Sequence, residues 1–187
     1  MADLARAEFI LGGQKSGKSR RAETLARQWL DASAQHRAVL VATGQAWDDE
    51  MRERIARHQR DRAERVPGMA TVEEPRALAE ALRAHTDPHT LVVVDCLTLW
   101  LTHLLMPVDG APLDAQAPAS ELCQAIAQAG GPVVLVGNEI GLGVIPLGRE
   151  VRAFVDALGT LNQAVAAVCE RVTLMAAGLP LRLKGPA

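Results

Sequence analysis

The chain has 187 residues, of which 49% are hydrophobic, and a formal net charge of −2. We expect residues 1–187 to form one domain with a substantial core, and the lack of a basic excess argues against a nucleic-acid partner. Three widely spaced cysteines without a C-x-x-C pair predict reduced thiols in a cytoplasmic protein. The first residues lack the apolar segment of a signal peptide. The long apolar stretch 90–108 carries Asp95 near its middle, so we expect no membrane span.

A phosphate-binding pattern stands near the start of the chain. Phe9–Leu11 has strand character and runs into GGQKSGKS, after which Ser19–Trp29 is compatible with a helix. Strand, G-x-x-x-x-G-K-S loop and helix together are the P-loop pattern, and they predict binding of a nucleoside triphosphate. Lys18 can reach the β- and γ-phosphates, and the Ser19 hydroxyl can ligate Mg²⁺. The predicted phosphate-binding residues are Gly12, Gly13, Gln14, Lys15, Ser16, Gly17, Lys18 and Ser19.

Strands and helices alternate along the rest of the chain. The predicted elements are a strand at Ala38–Thr43, a helix at about Asp48–Arg65, a strand at Ala70–Glu73, a helix through Leu78 and Leu82, a strand at Thr90–Asp95, a helix at Leu97–Met106, a loop at Pro107–Pro118, a helix at Ser120–Ala129, a strand at Pro132–Val136, a helix at Arg149–Cys169 and strands at Val172–Ala176 and Leu181–Leu183. This alternation predicts an α/β P-loop nucleotide-binding fold: a mostly parallel sheet with helices on both faces and a short C-terminal strand pair. Ligands bind at the carboxyl ends of such strands, after Leu11, Ala42, Val94 and Val136.

Two carboxylates follow predicted strands at that edge. Asp95 ends an apolar strand, where a P-loop protein places its second Mg²⁺-site carboxylate; an ordinary strand-terminal aspartate is the alternative. Glu139 lies in a glycine-rich segment after Val136, which predicts a mobile loop with Glu139 near substrate, or else only a long connection. The absence of an N-K-x-D after any strand argues against a signalling GTPase of the Ras type.

His58 is the candidate nucleophile. It shares a helix face with Met51 and Ile55, and the other faces of that helix are crowded with arginines. Such a helix could neutralise a triphosphate and prepare the histidine for attack on phosphorus. The alternatives are a histidine at the margin of the core and a solvated helix of mixed charge.

Five segments resemble one family, the bifunctional adenosylcobinamide kinase/adenosylcobinamide-phosphate guanylyltransferases of cobalamin assembly. They are GGQKSGKSRRAE at Gly12, VLVATGQAWDDEMRERIARHQRDR at Val39, VVVDCLTLWLTHLL at Val92, VGNEIGLGVIP at Val136 and LNQAVAA at Leu161. The likeness covers nearly the whole chain, and its second and fourth segments are the most specific. Lys15 stands where the family typically has arginine, and Arg57 where some members have a second histidine.

The resemblance implies two reactions with ATP and GTP as substrates and Mg²⁺ as cofactor. In the first, the aminopropanol hydroxyl of adenosylcobinamide takes the γ-phosphate of ATP or GTP, with Lys18 stabilising the transferring group. In the second, His58 takes GMP from GTP and passes it to the phosphorylated corrinoid. It further implies that Thr43, Gly44, Gln45, Gln59, Arg60, Asp61, Arg62, Glu73 and Asp95 line the nucleotide site, and that the protein is a homo-oligomer, a trimer by likeness to the family.

Two other hypotheses stay open on the sequence. A monofunctional P-loop kinase of a small molecule would keep the metal site and leave His58 inert, and guanylylation of the protein would distinguish it. A nucleotide-dependent binding or regulatory protein would bind ATP without forming a product with any cobinamide.

Overall fold

The computed structural model describes residues 4–46 and 49–186. The predicted helix start at Asp48, the neighbouring Trp47 and both ends of the predicted domain fall outside these residues. The elements are β1 (Ala7–Gly12), α1 (Lys18–Ala32), β2 (Arg37–Ala42), α2 (Asp49–Arg65), β3 (Ala70–Glu73), α3 (Leu78–His85), β4 (Thr90–Asp95), α4 (Leu97–Leu105), α5 (Gln116–Ala127), β5 (Val133–Val136), α6 (Arg149–Val168), β6 (Arg171–Ala176) and β7 (Leu179–Lys184).

The strands form one seven-stranded sheet in the order β3-β2-β4-β5-β1-β6-β7. All neighbouring pairs are parallel except β6 and β7, which pair antiparallel. The predicted mostly parallel sheet with a C-terminal strand pair is therefore confirmed. The carboxyl ends of β1, β2, β4 and β5 meet at one edge, because these strands run in the same direction.

The core lies on both faces of the sheet. On one face, Phe9, Val92 and Leu135 pack with buried side chains of α3 to α6. On the other, Ile10 and Val93 pack with α1 and with Val66, just beyond α2. The central strands are buried on both faces, as their continuous apolar runs predict.

Two predicted boundaries were wrong, and proline explains both. Helix α5 begins at Gln116, inside the predicted loop, with Pro118 in its first turn, where a missing N–H breaks no helical hydrogen bond. Strand β7 begins at Leu179 and contains Pro180, which is tolerated because β7 is the edge strand of the sheet. No helix among the described residues is long and apolar enough to cross a membrane.

Candidate active site at the carboxyl edge of the sheet

The phosphate-binding loop connects β1 to α1 through unusual backbone conformations. Gly12 has a φ of 152°, and a Cβ there would lie 2.5 Å from the Met175 carbonyl oxygen. Gly17, directly before α1, has a left-handed φ of 101°. Both glycines of the motif are thus required by the backbone, which supports the predicted loop geometry.

The turn between β6 and β7 contacts the phosphate-binding loop and supports it. The Gly178 N–H donates to the Ser16 carbonyl oxygen at 3.0 Å. A Cβ on Gly17 would meet the Gly178 Cα at 3.3 Å. The C-terminal strand pair therefore holds the loop in place, a role that its sequence did not suggest.

Replacing Gly12 with alanine is expected to destabilise the fold by about 2 kcal/mol or more, because the new methyl group meets backbone and the φ is strained. The free energy of unfolding by urea measures this effect. Gly13→Ala is the matched control, since a Cβ there has nothing within 4 Å. Equal stability of the two variants would contradict the described loop conformation.

Lys18 is buried at the start of α1. Its Nζ donates to the Gly13 carbonyl oxygen at 2.7 Å, so the side chain folds back over the loop. Burial lowers the pKa of the Lys18 ammonium, and the groups opposing that shift are Cys96, when ionised, and Asp95. Burial also raises the pKa of the Cys96 thiol to about 11, so the thiol is neutral at pH 7 and Asp95 is the negative group acting on Lys18. The structure thus brings the lysine and the predicted metal-site carboxylate together.

Thr43, which directly follows β2, joins the end of β2 to the end of β4 by hydrogen bonds. Its N–H donates to the Asp95 carbonyl oxygen at 3.1 Å. Its Oγ1 donates to the Cys96 carbonyl oxygen at 2.7 Å and accepts from the Cys96 N–H at 2.8 Å. Buried Thr43 therefore fixes the path of the chain toward Gly44 and Gln45.

The segment after β5 lies between the phosphate-binding loop and Asp95, because β5 lies between β1 and β4. The Glu139 N–H donates to the Gly12 carbonyl oxygen at 3.2 Å. The Asn138 N–H donates to Thr98 Oγ1 at 2.9 Å, on α4. These contacts place Glu139 beside the phosphate-binding loop, and its predicted closeness to substrate stays a prediction.

A cavity of about 680 Å³ opens beside this edge. It brings together two predicted nucleotide-site segments, Gly44–Gln45 after β2 and Glu73 at the end of β3, with Ile55 of α2. The remaining lining residues are Ala46, Arg76, His103, Pro107, Val108 and Asp109. Its volume is in the range of small-molecule sites, and its lining includes both acidic and basic side chains.

The comparisons with known proteins agree with this geometry. Residues 8–183 match the model of the family described as cobinamide kinase / cobinamide phosphate guanyltransferase. The chain belongs to this family of enzymes. It is 48% identical to the bifunctional adenosylcobalamin biosynthesis protein CobP of Pseudomonas aeruginosa, over 95% of this chain and 97% of that protein. It is 35% identical to the bifunctional adenosylcobalamin biosynthesis protein CobU of Escherichia coli K12, over 94% of this chain and 98% of that protein.

Solved structures share the fold at low sequence identity. The flagellar accessory protein FlaH of Methanocaldococcus jannaschii aligns with a TM-score of 0.56 and 11% identity, over 97% of this chain and 79% of that one. The KaiC-like protein PH0186 of Pyrococcus horikoshii aligns with a TM-score of 0.53 and 13% identity, over 91% of this chain and 71% of that one. These likenesses support the α/β architecture of this cobinamide kinase family member.

The predicted site residues on α2 lie at or near the surface. His58 is exposed, and it is three residues from Ile55, so the two are neighbours along one helix face. Gln59 and Arg60 are also exposed, whereas Asp61 and Arg62 are half-buried. Arg65 pairs with Glu23 of α1 at 2.8 Å and with Asp61 at 3.2 Å. The end of α2 is therefore tied to α1, while the His58 imidazole makes no hydrogen bond with any residue in the described ranges.

His103 is a site residue that sequence reasoning missed. It is 2% exposed on α4, and its Nε2–H donates to the Thr43 carbonyl oxygen at 2.8 Å, since a carbonyl can only accept. The imidazole also lines the cavity. Its place among the apolar residues of LTLWLTHLL was the available signal, because a histidine there needs a buried partner.

The pKa of His103 makes stability depend on pH. Burial lowers that pKa, the hydrogen bond to Thr43 raises it, and the Arg76 guanidinium lowers it. The folded state therefore binds a proton less readily than the unfolded chain, and the free energy of unfolding is expected to fall as pH drops below the ordinary value of 6.5. His103→Asn should flatten this dependence in urea titrations at several pH values. An unchanged slope would contradict the prediction.

The oxygen donors at this edge fit Mg²⁺. Ser19 lies in the first turn of α1, and half-buried Asp95 is the last residue of β4, near Lys18. Among the residues that the structure describes, no three His, Cys, Asp or Glu side chains converge as a metal-binding group. One hydroxyl and one carboxylate suit Mg²⁺, which takes few protein ligands and completes its shell with water and substrate phosphates.

Proposed function

We propose that the protein phosphorylates adenosylcobinamide with ATP or GTP and then transfers GMP from GTP to the product, giving adenosylcobinamide-GDP in cobalamin biosynthesis. The observation that carries this proposal is the family match over residues 8–183, which includes both the phosphate-binding loop and the segment of His58. The proposed substrates are the corrinoid and nucleoside triphosphates, and the proposed compartment is the cytoplasm. The free thiols of Cys96, Cys123 and Cys169 support a reducing compartment.

In the kinase step, the corrinoid hydroxyl oxygen forms a bond to the γ-phosphorus, and the bond from that phosphorus to the β,γ-bridging oxygen breaks. Lys18 donates to the β- and γ-phosphates and leaves its contact with the Gly13 carbonyl to do so. The free N–H groups at the start of α1 hold the phosphates by hydrogen bonds. Mg²⁺, when held by Ser19 and Asp95, neutralises phosphate charge.

In the guanylyl step, a neutral ring nitrogen of His58 forms a bond to the α-phosphorus of GTP. The bond from that phosphorus to the α,β-bridging oxygen breaks, and pyrophosphate leaves with the electron pair. A phosphate oxygen of the phosphorylated corrinoid then attacks the same phosphorus, and the imidazole leaves. A covalent guanylyl-histidine divides the transfer into two steps and predicts ping-pong kinetics.

The cavity is the proposed site of the guanosine. Glu73 presents a carboxylate that can accept from the N1–H and N2–H of guanine. Gly44 allows close approach of the backbone, and Gln45 supplies an amide. Ile55 lines the same cavity, so His58 lies one helical turn from the proposed base site. Arg60 and Arg62, close to His58 in the sequence of α2, would neutralise the triphosphate.

A homotrimer is part of the proposal. The exposed residues Leu142, Val144, Ile145 and Leu147 form an apolar segment before α6. On the edge strand β7, Leu179, Leu181 and Leu183 are exposed as well. Such apolar exposure is typical of a subunit interface. Light scattering coupled to gel filtration should give the mass of three chains, and the mass of one chain would refute the trimer.

The test of the proposed function uses adenosylcobinamide with ATP, GTP and Mg²⁺, followed by mass spectrometry of the corrinoids. The expected result is a phosphorylated corrinoid at early times and adenosylcobinamide-GDP later. Accumulation of the phosphorylated corrinoid alone would indicate a kinase without the transferase. Nucleotide binding without any corrinoid product would indicate a binding protein.

A further inference from the structure

The side chain of Glu139 is held in place beside the phosphate-binding loop. Its own N–H donates to the Gly12 carbonyl oxygen, so the residue is anchored to the first glycine of the motif. Its Oε1 accepts from the Gly141 N–H at 2.9 Å. Its Oε2 lies 3.4 Å from the Asn162 Nδ2, which donates to it. Glu139 thus has a defined orientation in a segment that sequence alone suggested to be a mobile connection.

Buried Asn162 holds the Glu139 side chain in this orientation. It is 5% exposed on α6, and its Nδ2 donates to the Asn138 carbonyl oxygen at 3.1 Å as well as to Glu139. Its Oδ1 has no hydrogen-bond partner among the described residues. A buried amide oxygen without a hydrogen-bond partner lowers the stability of the fold, which indicates that Asn162 has a role other than stabilisation.

The Glu139 carboxylate is held by hydrogen bonds rather than by an ion pair. In the described part of the chain, no lysine, arginine or histidine forms an ion pair with it. The other carboxylates near the site are engaged differently: Asp95 acts on Lys18, and Glu73 lines the cavity beside β3. Glu139 is thus a carboxylate of this edge that is positioned by hydrogen bonds and, among the described residues, is not paired with a cation.

We propose that Glu139 is the general base of the kinase step and that Asn162 is its positioning residue. This inference rests on the proposed kinase function. Strand β5 lies between β1 and β4, so Glu139 emerges between the loop that binds the phosphates and Asp95. A carboxylate there takes the proton of the attacking hydroxyl as the new oxygen–phosphorus bond forms. ADP or GDP leaves with the electron pair of the broken bond, and Glu139 later returns the proton to water.

The test compares Glu139→Gln with the matched control Glu150→Gln, in the exposed first turn of α6. Glutamine keeps the size and can still accept from Gly141, but it cannot take a proton. We expect the turnover of adenosylcobinamide phosphorylation to fall about 100-fold or more in Glu139→Gln and to stay within about twofold in the control. Labelling of the protein by GTP carrying radioactive phosphorus at the α-position should be unchanged in both.

Two outcomes would overturn the inference. Kinase turnover of Glu139→Gln within about threefold of wild type would exclude a general base. Equal loss of phosphorylation and of α-phosphate labelling would make Glu139 a structural support of the nucleotide site. A wild-type protein that phosphorylates no cobinamide would instead refute the proposed function itself, so the two failures are distinguishable.

The role of Asn162 is tested by a double-mutant cycle. Asn162→Ala is expected to lower kinase turnover and to leave the KM for ATP nearly unchanged. In the Glu139→Gln background, the same change should have no further effect, because Asn162 acts through the carboxylate. Multiplied losses in the double variant would show an independent structural role and overturn the assignment.

Discussion

Replacing His58 with asparagine is expected to abolish formation of adenosylcobinamide-GDP while phosphorylation of adenosylcobinamide continues. The transferase rate should fall by at least about ten-thousandfold, because the variant has no nucleophile that can form the covalent intermediate. His58 is exposed and makes no hydrogen bond within residues 4–46 and 49–186, so its loss should not disturb the fold. The rates of both corrinoid products, followed by chromatography, measure the two activities separately.

The control for this variant is His89→Asn. His89 is exposed in the turn before β4, at the amino edge of the sheet and opposite the site. The same chemical change there should leave both activities within about twofold of wild type, as is usual for a surface substitution. A His58→Asn protein that still makes adenosylcobinamide-GDP at a wild-type rate would exclude His58 as the nucleophile.

Replacing Lys18 with methionine is expected to reduce kinase turnover at least about a hundredfold, because the loop loses the side-chain cation proposed to contact the transferring phosphate. Lys18 is 8% exposed, and methionine occupies a similar volume without the charge. Loss of its bond to the Gly13 carbonyl also frees the loop in the absence of nucleotide. Initial rates at saturating ATP measure the effect.

Lys184→Met is the matched control, since Lys184 donates to the Ala166 and Ala167 carbonyls at the far end of α6. That change should affect stability more than turnover. Kinase turnover of Lys18→Met equal to that of the control would contradict the assignment of the phosphate-binding loop.

The architecture could be predicted from the sequence because its strands are continuous apolar runs. Thr90–Asp95 and Val133–Val136 have no competing periodicity, and parallel strands place the loops that follow them at one edge. The phosphate-binding loop, Asp95 and Glu139 could therefore be assigned to one edge of the sheet from the sequence alone. The starts of α5 and β7 were missed because Pro118 and Pro180 resemble loop signals unless the position within the element is known.

The supports of the site could not be predicted, because they join residues far apart in the chain. His103 reaches the Thr43 carbonyl across sixty positions. Gly178 reaches the loop at Ser16 from the other end of the chain. No local pattern encodes such contacts, which follow from the packing of α4 against the sheet and from the pairing of β6 with β1 inside it. The predicted roles of the residues on α2 stay predictions, since the geometry brings Ile55 to the cavity and leaves His58 exposed.

The guanylyl-histidine intermediate is tested most simply by incubating the native protein with Mg²⁺ and GTP labelled at the α-phosphate. The protein is then denatured and the retained label is counted. A guanylyl-histidine intermediate predicts label that is labile to acid, stable to alkali and absent from His58→Asn, as expected of a phosphoramidate on histidine. A native chain that binds GTP yet retains no label would contradict the guanylyl-histidine. The phosphate-binding loop would then support a kinase alone.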